Sequence, residues 1–334
     1  MTLPTEGLQW GDVYGYNPLG VRKGIITHVL MRDYHGSVTD LRDPLMGLNS
    51  FGYMSPYAED GLYRDDLLSP DFPGGQFYEL GGLGETGTEI TPDVNVEGVK
   101  IAQSKRAVRW DITEENDEIM FVLRESSLPT TNLLRFDLPL ANVPDIGKPQ
   151  QTYVKPSESR FIERQIIALA EDGDFRFAYI FPRTARKKVG KTALNTKGPD
   201  DLELTYGALV CPFADTPVYV VHEGQGYRAL GGAPKFYSAP VATAGGTGAA
   251  TVVFTIPRLN DPAPDTFTYA YEKKVGAGSW VTAGSPASTS ATSTQVTAGF
   301  TGLAAGSTVF RVKATHTAST LVGTSDQSNA VTIT

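Results

Sequence analysis

Cysteine is almost absent from this chain. Cys211 is the single cysteine among 334 residues, so no intrachain disulfide can form. The sequence is therefore compatible with a reducing origin. Because no histidine or basic residue lies close to Cys211 in the sequence to activate it, we expect an inert, half-buried thiol.

Histidine is scarce as well. The four histidines are scattered, which leaves little for general-base catalysis or for a metal site. His28 lies inside an apolar strand candidate, residues 24–31, where a half-buried histidine is the simpler interpretation. No carboxylate pair, Ser–His–Asp set or metal-ligand spacing stands out. We therefore expect a protein that is not an enzyme, with no catalytic, cofactor-binding or metal-binding residues.

The sequence also lacks long apolar runs and an export signal. No run comes near the roughly 20 apolar residues that span a bilayer. Residues 1–10 have neither the basic start nor the apolar core of a signal peptide. We expect a soluble protein, made in a cytoplasm, with no membrane partner.

Positive charge is deficient, and the deficit is confined to one part of the chain. Residues 239–334 contain five Lys or Arg and four Asp or Glu, a balance of +1. The totals are 29 and 37, so residues 1–238 carry 24 minus 33, or −9. This acidity argues against nucleic-acid binding by phosphate neutralisation. One basic run, residues 183–191, is open to two interpretations: contact with phosphates, or pairing with an acidic face of a neighbouring copy.

Long helical patterns are few, whereas the 35 glycines and 22 prolines are many, so we predict a mainly β protein rich in turns. Residues 82–87 match G-x-G-x-x-G, but no helix pattern follows them. We therefore expect a flexible loop there and not a dinucleotide site. The Gly-Lys-Thr at 190–192 lacks the preceding glycine of a phosphate loop, because Ala185 occupies that position.

The clearest local signal is residues 160–183. Two apolar-rich runs flank Glu171–Asp174, and the Asp-Gly pair between them predicts a β-hairpin. The alternating aromatics of residues 175–181 predict a strand with one buried aromatic face. Residues 161–169 also fit a helical stripe, so a helix entering the turn remains an alternative.

Residues 33–100 have the least regular pattern. Asp43 and Pro44 predict a short capped helical turn. Because Gly and Pro are frequent thereafter, we expect residues 55–100 to be a long loop, mobile in the free protein, that serves assembly. The acidic residues 114–118 are predicted to be a solvated turn between strands at 108–112 and 119–123, which is simpler than a metal or acid–base site.

The composition changes near residues 233–240. Beyond them, short strands are predicted at residues 251–256, 267–271, 295–297, 308–314 and 329–333. This spacing is typical of an immunoglobulin-like sandwich. Tyr269-x-Tyr271 with Trp280, and the segments 302–307, 310–314 and 328–333, resemble a fibronectin type III or related immunoglobulin-like domain. Val309 stands where such domains have a tyrosine, so the subtype stays open.

A second set of motifs runs through residues 20–230. They are FGYM (51–54), EDGL (59–62), VRW (108–110), TEE (113–115), FVLRE (121–125), FPRTAR (181–186), Gly190 and LELTY (202–206). Together they resemble the major tail tube protein of long-tailed phages, the siphoviruses, that infect actinobacteria and their relatives.

This resemblance implies a domain organisation. Residues 1–235 would form a tail-tube-type β-sandwich or barrel with one short helix, and residues 55–100 would be an inter-ring segment. Residues 236–248 would be a linker, and residues 249–334 the immunoglobulin- or fibronectin III-like domain, exposed on the surface.

The resemblance also implies a function. Family members form hexameric rings that stack into the conduit for DNA ejection. Partners would be further copies and the tape measure, tail terminator and distal tail proteins, and genomic DNA would pass through the lumen without specific binding. The location would be the virion tail, and the host cytoplasm during assembly. The −9 charge suits a lumen that repels DNA and lets it slide.

Two alternative functions stay open. One is another virion structural protein, such as a capsid decoration or a baseplate or distal tail protein. The other is a secreted carbohydrate-binding protein, with Trp280, Tyr269 and Tyr271 as sugar contacts, although core packing explains these aromatics more simply.

Overall fold

Antiparallel strands are the main secondary structure of the fold. A computed structural model describes residues 21, 26–99, 106–144, 146–147, 149–158, 160–191, 200–231, 233–236, 238–257, 267–292, 294–317 and 320–334. Strands account for 48% of the structure and helices for 9%, which confirms the predicted mainly β fold class. Residues 1–10, for which no export signal is predicted, and Thr192 of the Gly-Lys-Thr motif lie outside the described residues. Residues 26–224 form one compact unit, and a second unit is built on residues 225–334.

The first unit contains an eight-stranded sheet with the order β2-β1-β5-β6-β7-β4-β3, and with β8 paired to β6. A helix, α1 (Pro129–Arg135), separates β4 from β5. Short 3₁₀ turns lie at Gly36–Thr39, Pro44–Met46, Asp66–Leu68 and Leu140–Asn142. The strands are β1 (Ile26–Asp33), β2 (Tyr78–Glu79), β3 (Leu83–Val99), β4 (Arg109–Leu123), β5 (Arg164–Asp172), β6 (Phe175–Val189), β7 (Leu202–Ala208) and β8 (Tyr219–Glu223).

The predicted hairpin is formed by β5 and β6. Asp172 pairs with Phe175 around Gly173, whose φ of 59° lies in the left-handed region that suits glycine. The helix alternative for residues 161–169 is excluded because β5 begins at Arg164. The helical stripe was misleading because β5 is buried on both faces, so its sequence is a continuous apolar run without alternation.

The aromatic side chains of β6 share one face, as predicted, and Tyr179 packs against the core that contains Phe181, but burial is not confined to that face. Phe181 is buried on one side of the sheet, but Ala178 and Ile180 are buried on the other side. Phe175 and Phe177, near the turn, are only half-buried. Both faces of β6 are covered, so burial does not alternate along this strand.

The first face of the sheet surrounds a core that includes Ile119, Phe121, Ile166, Phe181 and Tyr206. The sheet curls around this core. Its last strand returns towards its first: a Cβ placed on Gly87 would lie 2.8 Å from Oγ1 of Thr27. The arrangement is consistent with the predicted sandwich or barrel class.

The second face is covered by residues 36–77. Their buried side chains pack against Ile167, Leu169, Ala178 and Ile180 of β5 and β6; they are Leu41, Met46, Met54, Tyr57, Leu67, Phe72 and Phe77. The predicted turn at Asp43 and Pro44 is confirmed, because the Asp43 carboxylate accepts the N–H of Leu45 at 2.9 Å.

The structure differs from the predicted loop at residues 55–100. Residues up to Leu80 pack on the sheet of their own chain, and residues from Leu83 onward form β3. The predicted flexible loop at residues 82–87 is likewise wrong, because its residues enter β3 and Gly82 N–H donates to Glu125 Oε1 at 2.7 Å.

The second unit has two antiparallel sheets around one core. The order is β13-β14-β10-β9 in one sheet, and β12-β11-β15-β16, with β17 on β15, in the other. The core includes Phe254, Tyr271, Phe300, Phe310 and Val312. The helix is α2 (Gln225–Leu230), and the strands are β9 (Val241–Ala244), β10 (Ala250–Thr255), β11 (Phe267–Val275), β12 (Val281–Thr282), β13 (Ser288–Ala291), β14 (Gln295–Phe300), β15 (Gly306–His316), β16 (Val322–Thr324) and β17 (Val331–Ile333).

The second unit begins before the predicted domain boundary at residue 235. Gln225 Nε2 donates to the Thr324 carbonyl at 2.9 Å, and Phe236 belongs to the core. Residues 241–244, inside the predicted linker 236–248, form β9. The chain at Pro234 lies so close to β16 that a Cβ on Gly323 would stand 1.8 Å from the Pro234 oxygen.

Candidate functional site

A two-stranded extension of the first sheet is its most unusual feature. We define the β arm as residues 88–99 of β3 and 109–118 of β4. β7 pairs with β4 only at residues 118–123, whereas β3 pairs with β4 out to Val99 and Arg109. Within the described residues, no further strand covers either edge of the β arm beyond Glu118, the one arm residue that pairs with β7.

One face of the β arm is apolar. Cross-strand partners share a face, so the face that carries Ile119 and Phe121 in the core continues outward along the arm. Its outer part presents four large apolar side chains to solvent, 46–67% exposed: Val94, Val96, Trp110 and Ile112. The indole of Trp110 also covers its partner Gly98, since a Cβ there would lie 3.3 Å from the ring. We call this the apolar face.

A β-bulge keeps these side chains on one face. Asn95 pairs with Glu114 and Val96 pairs with Ile112, so Thr113 is the extra residue. The Thr113 hydroxyl donates to the Asn95 carbonyl at 3.1 Å. Without the bulge, the alternation of β4 would place Ile112 and Trp110 on the face opposite Ile119.

The β arm is strongly acidic. Its β3 part contains three carboxylates and its β4 part contains five, a total of eight, against one basic residue, Arg109, which pairs with Asp111. Glu115 and Asp117 lie on the same face as Trp110, because their partners are Val94 and Pro92. The predicted turn at residues 114–118 is wrong: these residues lie in the middle of β4.

Such an arm is poorly stabilised in water by its own contacts. A two-stranded ribbon is marginal alone, and an exposed apolar face with open strand edges is a site for association. The chemistry that the β arm offers is therefore contact with another protein surface.

The basic run at residues 183–191 is largely neutralised within the chain. Lys187 pairs with Glu118 at 2.8 Å, and Lys188 pairs with Glu203 at 2.7 Å. Arg183 pairs with Glu163 at 2.7 Å, and Arg186 lies 3.5 Å from a carboxylate oxygen of Asp137. Neither phosphates nor a neighbouring copy are needed to balance these four charges.

The other candidate residues do not converge on a site. His28 lies 3.4 Å from Glu79 on adjacent strands. Cys211 is fully buried, not half-buried, and its sulfur lies 3.8 Å from the Tyr34 hydroxyl. Burial, followed by the hydrogen bond to Cys211, raises the pKa of Tyr34 to about 12.

The aromatics proposed as sugar contacts are divided between core and surface. Tyr271 is in the core of the second unit, and Tyr269 packs against that core. Trp280 lies on the other side of the sheet, with the Arg311 guanidinium 4.5 Å from its ring centroid. Glu272 pairs with this Arg311 at 2.6 Å. Because Trp280 and the two tyrosines lie on opposite sides of the sheet, the three aromatics do not form one platform.

Other site types are not found among the described residues. These residues contain no group of three or more His, Cys, Asp or Glu placed to hold a metal ion. None of the helices in that part of the chain is long and apolar enough to cross a membrane.

Comparison with known proteins adds no further assignment. No protein-family model matches the chain, and no curated protein matches it.

Proposed function

We propose that this chain is a structural subunit of the tail tube of a long-tailed phage and is not an enzyme. The observation that carries the proposal is the β arm, with its exposed apolar face and two open edges. In such a tube, the surface that the β arm contacts belongs to a second copy of the same chain.

Contact between an arm and a different surface of the next copy is heterologous. Heterologous contacts close into rings or continue as filaments, depending on the rotation between copies. We propose hexameric rings that stack into a tube, with the arms contributing to the contacts. The resemblance to tail tube proteins supports this choice.

The charge supports a passage for DNA. A net charge of −9 over residues 1–238 favours walls that repel the phosphate backbone. DNA would move through such a lumen without specific binding. The second unit, an immunoglobulin-like sandwich, would be displayed on the outside of the tube. The tape measure, tail terminator and distal tail proteins would be further partners in the virion.

Negative-stain electron microscopy across a concentration series tests the proposal. We expect stacked rings of uniform diameter that lengthen as the concentration rises. Single rings that never stack would favour a capsid decoration or baseplate protein instead. A chain that stays monomeric up to millimolar concentration, and also when seeded with preformed tail tips, would contradict the proposal.

A further inference from the structure

We infer that the β arm of one copy docks into a basic pocket of the next copy. The basic pocket is a cavity of about 580 Å³ in the first unit, beside the end of α1; among its lining residues are Arg135, Leu138, Lys155, Arg160, Arg186 and Val189. The inference rests on the proposed assembly and names the surface that would receive the arm.

The pocket is basic in an otherwise acidic unit. Its lining contains four cations against two carboxylates, Asp137 and Glu158. Arg135 is paired with Asp200 at 3.1 Å, and Arg186 lies 3.5 Å from Asp137. Lys155 and Arg160 are exposed and form no ion pair within the part of the chain that the structure describes. These two charges are available to a carboxylate from outside.

The pocket is apolar as well as basic. Leu138, Ile162 and Val189 contribute to its walls. At its edge, Phe161 is 82% exposed and Val154 is 69% exposed, next in sequence to Arg160 and Lys155. A partner that suits this surface must combine apolar side chains with negative charge.

The β arm has this combination. Trp110 and Ile112 are 67% and 65% exposed, and Glu115 and Asp117 lie on the same face. The exposure of Trp110 means that the arm does not fill the pocket of its own chain. Opposite charges steer the encounter and fix its register, and burial of the apolar side chains stabilises the contact. A second copy therefore fits the pocket better than a nucleic acid, which would bring no apolar face.

Photo-cross-linking tests the contact in the assembled protein. In Glu97→Cys protein, which keeps Trp110 and Ile112, a maleimide photo-cross-linker should label position 97 alone, because Cys211 is 0% exposed. We expect mass spectrometry to find the label of one copy attached to residues 154–162 of another. An arm attached to another arm, or to a different surface, overturns the inference.

Charge reversal provides a second, independent measurement. We expect Lys155→Glu with Arg160→Glu to raise the concentration needed for half-maximal assembly by about tenfold or more. Reversal of Glu115 and Asp117 to lysine in the same chain should restore assembly. Lys273→Glu with Lys274→Glu makes the same change in net charge in the second unit and should have little effect. The inference would be overturned if the two double variants lost assembly equally, or if the lysine substitutions did not restore assembly.

The two proposals can fail separately. Tubes whose cross-links lie elsewhere would leave the tube function standing and exclude the basic pocket as the receptor. Arm-to-pocket cross-links in small oligomers that never form tubes would support the basic pocket as the receptor and contradict the tube function. Absence of any association at any concentration would overturn both.

Discussion

At the scale of single residues, Arg32 explains how an irregular segment is held on the sheet. Its side chain is buried, and its guanidinium lies 4.4 Å from the ring centroid of Phe77. It donates to the carbonyls of Pro73 and Gly75, each at 2.8 Å. Burial lowers the pKa of Arg32 to about 10, which still leaves the group charged at neutral pH.

Replacement of Arg32 tests this role. Arg32→Met leaves two backbone carbonyls and the side-chain oxygen of Gln165 without their donor and removes the cation–π contact, so we expect the free energy of unfolding to fall by about 2–4 kcal/mol. Urea unfolding followed by circular dichroism measures the change. Arg42→Met is a matched control, because Arg42 is exposed and lies 5.4 Å from the ring of Tyr53. Equal shifts for both variants would show that Arg32 has no special role.

At the scale of elements, a bulge in the β arm makes one continuous strand look like two strands in the sequence. The apolar residues at the outer end of β4, Trp110 and Ile112, fall on even positions, whereas the fully buried ones at its inner end fall on odd positions; they are Ile119, Phe121 and Leu123. A change of parity with acidic residues between the two runs predicts a turn. The structure instead absorbs the extra residue at Thr113, so one continuous strand keeps both runs on one face.

Polar substitution of the arm separates folding from association. In Trp110→Ser with Ile112→Ser, both altered side chains are exposed. We therefore expect the free energy of unfolding to change by less than about 0.5–1 kcal/mol, while assembly is lost. Sedimentation velocity measures the assembly. Leu45→Ser with Phe51→Ser removes two side chains that are 76% and 83% exposed outside the arm and should assemble normally. If the arm variant assembled like the wild type, the arm would not be the contact surface.

At the scale of the whole molecule, the division into two units does not follow the change in composition. Residues 225–236 have the composition of the first part of the chain, but they pack on the second unit through Gln225 and Phe236. Contacts between distant residues, which composition does not record, place this division between Gly224 and Gln225.

Truncation tests the division. A chain of residues 225–334 should melt at a higher temperature than one of residues 249–334, which lacks β9 and Phe236. Loss of the buried Phe236 side chain alone should cost about 3–5 kcal/mol. Calorimetry of the two chains, and of Phe236→Ala in the longer one, measures the difference. Equal melting temperatures would instead place the start of the second unit at residue 249, as the sequence predicts.

The sequence by itself determined the features that depend on neighbouring residues. The mainly β class, the Asp-Gly hairpin, the capped turn at Asp43 and the strands after residue 250 are local patterns of alternation and turn chemistry. They were predicted because a strand or turn is specified by the residues within it.

Tertiary structure decided the features that depend on what covers each surface. Residues 36–77 look like a free loop in sequence, yet their scattered apolar side chains fill one layer when the sheet lies beneath them. β5 looks helical because both its faces are covered. The β arm could not be predicted, because large apolar side chains of one strand are buried at Ile119 and Phe121 but lie in solvent at Trp110 and Ile112. Exposure there is set by where β7 ends, and no residue of the arm encodes that position.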